Sequence, residues 1–132
     1  LRLIPDLTVL RPADGNEVAA AWRCIVEGTG PVALILSRQN TPVLEGTKEL
    51  AAEGVSKGGY VLADVPDPAA IIVATGTEVA VATEAAASLA AGGVPTRVVS
   101  LPSWELFARQ DAGDQARQIR LRFVDGHDCH VG

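Results

Sequence analysis

The chain has 132 residues, 48% apolar and 20% charged, with a formal net charge of −5. This is the composition of a globular protein and not of a disordered one. The acidic balance, with no basic stripe, excludes nucleic acid as the main partner. No apolar run approaches the length needed to span a bilayer, so no membrane contact is expected.

In chain order, Thr8 to Leu10 reads as a short strand stopped by Pro12. Asp14-Gly15-Asn16-Glu17 then opens a helix, with Asp14 as N-cap and Glu17 three residues on, a variant of the capping box. Val18, Ala21, Trp22, Ile25 and Val26 form its expected apolar face, and Gly28 ends it. Val32 to Leu36 is a continuous apolar run, the pattern of a parallel strand covered on both faces.

Residues 41 to 58 change character, with Pro42, Gly46, Gly54 and Gly58 punctuating a Thr-, Lys- and Glu-rich stretch. It reads as a linker with one helical turn around Lys48 to Ala52. A second unit follows: a short strand at Tyr60 to Leu62, a loop at 64–68, and a buried strand at Ile71 to Ala74. Thr75 and Glu78 stand at capping-box spacing before a helix with a Val79, Ala82, Ala86 and Leu89 stripe. Gly92-Gly93 terminates that helix, and Thr96 to Ser100 is the next strand. Two strand–helix–strand units with right-handed crossovers make the fold class α/β, as two partial layers with parallel sheets. Two or three parallel strands leave faces uncovered, so the chain is expected to expose apolar surface and strand edges.

Arg38 is the leading candidate for a binding role. It stands just beyond the strand at Val32 to Leu36, in Ser37-Arg38-Gln39-Asn40. Ligands of open α/β sheets bind beyond the carboxyl ends of the strands, and a guanidinium there suits a phosphate or carboxylate. The bland alternative is a solvated ion pair. Ser37, Gln39 and Asn40 are expected to satisfy backbone groups, the alternative being that they donate to the same anion. Arg11 before Pro12 points either to a subunit contact or to a carboxylate.

The remaining chemistry is assigned structural roles. Thr75-Gly76-Thr77-Glu78 has neither a Walker lysine nor the dinucleotide glycine pattern, and Glu78 in the first turn would repel an anion, so the segment reads as a cap, with a minor ligand contact as the alternative. Capping also accounts for Asp14 and Glu17, so no catalytic residue is assigned. His127, Cys129 and His130, with Asp128, fit no standard zinc spacing, and no metal ligand is assigned. Cys24 lies in a helical pattern and is expected to be a buried, inert thiol. Cys24 and Cys129 form no disulfide framework, and the expected location is cytoplasmic. The absence of a starting Met and of a signal-peptide h-region suits a chain that begins within a longer protein.

Several blocks carry a resemblance in order: 7–17 (LTVLRPADGNE), 33–46 (ALILSRQNTPVLEG), 57–62 (KGGYVL), 71–79 (IIVATGTEV) and 97–107 (RVVSLPSWELF). Together they resemble the transketolase family, from the first residue to about Gln110-Asp111. Agreement of several separate blocks is specific where one short motif would not be.

The resemblance implies a division of the chain. Residues 1–45 would be the end of a pyrimidine-binding domain, 46–58 a linker, 59–111 the start of the C-terminal domain, and 112–132, where the chain departs from the family, a divergent tail that is disordered or adventitious. It implies that Arg38 contacts the phosphate of a sugar substrate. It implies a parent transferase that moves a two-carbon ketol unit from a ketose phosphate to an aldose phosphate. That parent would be a homodimer using thiamine diphosphate with Mg2+ or Ca2+, held mainly by parts this chain lacks. No cofactor-binding residue is therefore assigned, and the chain alone is expected to be inactive. The alternatives are a related thiamine-dependent enzyme, such as dihydroxyacetone synthase or deoxyxylulose phosphate synthase, and a non-catalytic α/β partner-binding module.

Overall fold

A computed structural model describes residue 1 and residues 4–119. The first unit is strand β1 (Thr8–Leu10), helix α1 (Gly15–Glu27) and strand β2 (Val32–Leu34). β1 and β2 pair in parallel, with Thr8 opposite Val32 and Leu10 opposite Leu34. Helix α2 (Thr47–Ser56) follows, then strands β3 (Tyr60–Ala63) and β4 (Ala70–Ala74), helix α3 (Glu78–Ala91) and strand β5 (Thr96–Ser100). Helices α4 (Trp104–Ala108) and α5 (Ala112–Ile119) complete the described elements.

Both expected strand–helix–strand units are present, so the chain is mixed α/β. β4 and β5 are parallel, whereas β3 lies on the other side of β5 and runs antiparallel to it. The second sheet is therefore mixed, because β3 arrives from α2 and not through a crossover of its own.

Helix α1 starts as its sequence dictates. The Asp14 carboxylate accepts from the Glu17 amide at 3.0 Å, and the Ala13 amide donates to Glu17 Oε2 at 2.7 Å. Gly28 is the C-cap. The expected apolar face is rotated, however. Glu17, Ala20 and Ala21 are buried, while Trp22 and Val26 are 53% and 81% exposed. The donors gathered around Glu17 hold that carboxylate inside and turn the helix accordingly.

Four further expectations are corrected. The linker is no single turn: α2 is ten residues long, and Ala51 and Val55 join Leu10, Ala20 and Ala21 in one core cluster. β2 ends at Leu34, is half-buried, and leaves Ile35 and Leu36 exposed, because β1 is its one described neighbour. The Thr75–Glu78 capping box does not form, since α3 begins at Glu78 with Thr77 as N-cap and no side-chain cap bond. Residues 112–119, expected to belong to a disordered or adventitious tail, are helical. Val79, Ala82 and Ala86 are buried as expected, while Leu89 is 38% exposed. Gly92 caps α3.

The two units are joined by backbone bonds. The Arg11 amide donates to the Pro102 carbonyl at 2.8 Å, and the Gly76 amide donates to the Arg11 carbonyl at 3.1 Å. The residue after β1 is thus held between the segments that follow β5 and β4.

Candidate functional site

The carboxyl ends of β1, β2 and β4 converge on one crevice, where Arg11, Ile35, Ser37, Gly76 and Thr77 line a cavity of about 170 Å3. This is where an α/β sheet places a ligand. Arg38 follows Ser37 directly. Its side chain is exposed and makes no ion pair with any described residue. Ser37 Oγ accepts from the Gln39 amide at 2.9 Å, so that hydroxyl satisfies the backbone as expected.

Arg11 reaches a carboxylate. Its Nη2 stands 3.4 Å from Glu78 Oε2, with the two side chains 37% and 60% exposed. Gly76, at φ +62°, lies directly against this pair; a Cβ there would sit 3.4 Å from both Arg11 Nη2 and Glu78 Oε2. Glu78 is therefore an exposed partner for Arg11 and not half of a capping box. Thr75 Oγ1, the other expected capping atom, is buried with no hydrogen-bond partner among the described residues.

A second polar centre was only half legible in the sequence. Glu17 Oε1 accepts from Tyr60 Oη at 2.7 Å and from Ser100 Oγ at 2.6 Å, in addition to the Ala13 amide on Oε2. Asp14 Oδ2 accepts from Thr47 Oγ1 at 2.7 Å and from the Leu44 amide at 2.9 Å. Glu17 is fully buried. Burial pushes its carboxyl above the ordinary glutamate range, against the lowering effect of the Ser100, Ala13 and Tyr60 donors. Tyr60 is pushed up as well, by burial first and then by the Glu17 charge. These partners lie 43 and 83 residues away from Glu17 in sequence, and no local pattern links them. The network is structural: it is closed to solvent and every oxygen of Glu17 has a donor.

Cys24 is partly buried and packs against the first core cluster. Burial raises its thiol pKa, which favours the thiol over the nucleophilic thiolate. Among the described residues no group of three or more His, Cys, Asp or Glu side chains could hold a metal ion. His127, Cys129 and His130 lie outside the described residues. No described helix is long and apolar enough to cross a membrane.

Comparison with known proteins places these features. The profile of the transketolase pyrimidine binding domain matches residues 1–43, and that of the transketolase-like TK C-terminal domain matches residues 58–123. A transketolase of Geobacillus stearothermophilus is 50% identical over 113 residues, covering 83% of this chain and 17% of its own. Among solved structures, transketolase from Leishmania mexicana superposes with a TM-score of 0.84 at 41% identity, over 89% of this chain and 17% of that one. A Pichia stipitis transketolase, solved as a complex with a sedoheptulose phosphate, gives 0.83 at 40% identity over 91% and 18%.

The class is thus a pyrimidine-binding unit running into a transketolase-type C-terminal unit. The chain belongs to the transketolase family. It spans about 17% of the length of the Geobacillus relative.

Proposed function

We propose that this chain is the part of a transketolase that joins the end of the pyrimidine-binding domain to the start of the C-terminal domain, and that Arg38 binds the phosphate of the sugar substrate. The observation that carries this reading is an exposed guanidinium, with no ion pair among the described residues, just beyond the carboxyl end of β2. A planar fork of donors grips a phosphate in a bidentate manner and fixes the far end of the sugar. Holding the far end orients the carbonyl end, and remote binding of this kind lowers the barrier by positioning. The Pichia relative was solved with a sugar phosphate, which supports the substrate class.

The activity proposed for the whole enzyme is transfer of a two-carbon ketol unit from a ketose phosphate to an aldose phosphate, in a cytoplasmic homodimer. Thiamine diphosphate, with Mg2+ or Ca2+, would supply the electron sink. The described residues do not fit the metal, for they offer no ligand cluster. We therefore assign this chain substrate orientation alone and expect no turnover from it in isolation. The division proposed is 1–45, 46–58, 59–111 and 112–132, with helix α2 inside the second segment and the C-terminal match running on to residue 123.

The test is R38A in the full-length enzyme carrying this chain. Loss of a charge-assisted contact should raise KM for a phosphorylated donor roughly tenfold or more. An unphosphorylated donor should be unaffected within about twofold. Equal losses for both donors would remove the phosphate role.

A further inference from the structure

We infer that the cavity bounded by Arg11, Ser37, Gly76 and Thr77 is a second phosphate-oxyanion position, with Arg11 as its charged group. The inference concerns a residue separate from Arg38 and does not require Arg38 to bind substrate. Three observations carry it. The cavity, about 170 Å3, opens where three strands end, and it admits an ion of phosphate size. The Arg11 backbone is held on both sides, by Pro102 and by Gly76, so its side chain starts from a fixed point. Finally, the Arg11–Glu78 pair is long, at 3.4 and 3.5 Å through Nη2 alone, and both side chains are substantially exposed.

Such a pair contributes little to stability. Among the described residues, the other guanidinium donors of Arg11 make no contact to a carboxylate, since Nη2 makes both contacts to Glu78. A phosphate dianion brings more charge and a bidentate geometry, and so displaces or shares the single carboxylate. Gly76 borders the pair, and its positive φ, not a lack of space, is what disfavours any substitute there. Glu78 acts as an internal competitor that lowers the affinity of the site without closing it. The same chemistry is offered by inorganic phosphate and by a sugar phosphate monoester.

The experiment is a titration of the 132-residue chain followed by 15N NMR, reading the arginine Nε–Hε and backbone amide signals. The probes are inorganic phosphate, ribose 5-phosphate, unphosphorylated ribose, and sodium chloride at matched ionic strength. Arg11 should shift saturably with both phosphates and with neither control. A response to inorganic phosphate alone assigns the site to the free ion, and a response to both assigns it to the phosphate group in general. R11A should abolish the response while R38A preserves it. E78Q should tighten phosphate binding about two- to fivefold, the worth of an exposed ion pair. That substitution is on the surface and carries the test even where R11A disturbs the fold. An Arg11 signal that does not move, or that moves equally with chloride, overturns the inference. Loss of binding in R38A but not in R11A overturns it too, while leaving the Arg38 reading intact. Loss in R11A but not in R38A is the expected result and bears on Arg11 alone, the Arg38 reading being decided by the comparison of donors in the full-length enzyme.

Discussion

The Tyr60 hydroxyl of β3 donates to the Glu17 carboxylate of α1 at 2.7 Å, and this bond ties the two family regions together inside the protein. Removing the hydroxyl should therefore destabilise the fold without touching the crevice. Y60F keeps the ring and deletes one of three donors to a buried carboxylate. The expected loss is about 1–3 kcal/mol, read from urea unfolding. A double cycle with S100A should be non-additive, since both donors meet Glu17 Oε1. Simple additivity would mean that the two donors act independently.

Glu17 also sets a pH dependence. Burial raises its pKa above the ordinary value of 4.5, so the folded state holds the proton more tightly than the unfolded chain does. The contribution of this group is complete below the unfolded pKa and is lost as pH rises through the folded one. Stability should fall with rising pH just above 4.5 by the part due to Glu17, and E17Q should flatten that segment of the profile. Tyr60, also raised, contributes a second decline at alkaline pH with the same sign. A Glu17 carboxyl that titrates by NMR below the ordinary range would reverse the first expectation.

Gly54 sits where α2 crosses the Tyr60 ring. A Cβ there would lie 2.1 Å from Tyr60 Cδ1, so the ring and its hydroxyl would have to move. Alanine improves helix propensity by about 1 kcal/mol, but the clash outweighs it. G54A should be destabilising by roughly 1–3 kcal/mol. It should also lose most of the extra effect of Y60F, because the hydroxyl would already be displaced. A stabilised G54A would show that α2 can shift freely.

The exposed face of α1 predicts solution behaviour. Trp22 and Val26 point outward on one helix, and Ile35 and Leu36 are exposed beyond β2. Apolar side chains exposed on a helix face, as Trp22 and Val26 are one turn apart, promote association. W22K with V26K should reduce light scattering of the purified chain at equal concentration and leave its unfolding midpoint nearly unchanged. Unchanged scattering would place the contact elsewhere.

Much of the fold was legible in the sequence because its signals are local. Asp14 and Glu17 announce the start of α1, Gly28 and Gly92 stop two helices, and the apolar runs at Val32 and Ile71 give the strands. The errors arise where tertiary contacts decide. Trp22 looks apolar and internal, yet α1 is turned by a charged residue whose partners, Tyr60 and Ser100, belong to another unit. α2 was hidden because Gly54 and Gly58 read as breakers, whereas Gly54 is a packing site and Gly58 lies just beyond the C-cap Lys57. Thr75 and Glu78 have the right spacing for a cap, but Arg11 takes Glu78. At the crevice, Arg38 was visible as a guanidinium after a strand. Arg11 was visible only as a choice between two partners, because its carboxylate lies 67 residues away.

The bonds of Arg11 to Pro102 and Gly76 have a consequence for dissecting this protein. A cut in the stretch between residues 43 and 58 would fall where the family profiles meet, yet it would strand Glu17 without Tyr60 and Ser100, and Arg11 without both backbone partners. The seam drawn by ancestry is not the seam along which the molecule comes apart. Domain swaps among relatives should succeed when the donor brings its own Glu17, Tyr60 and Ser100 equivalents as a set.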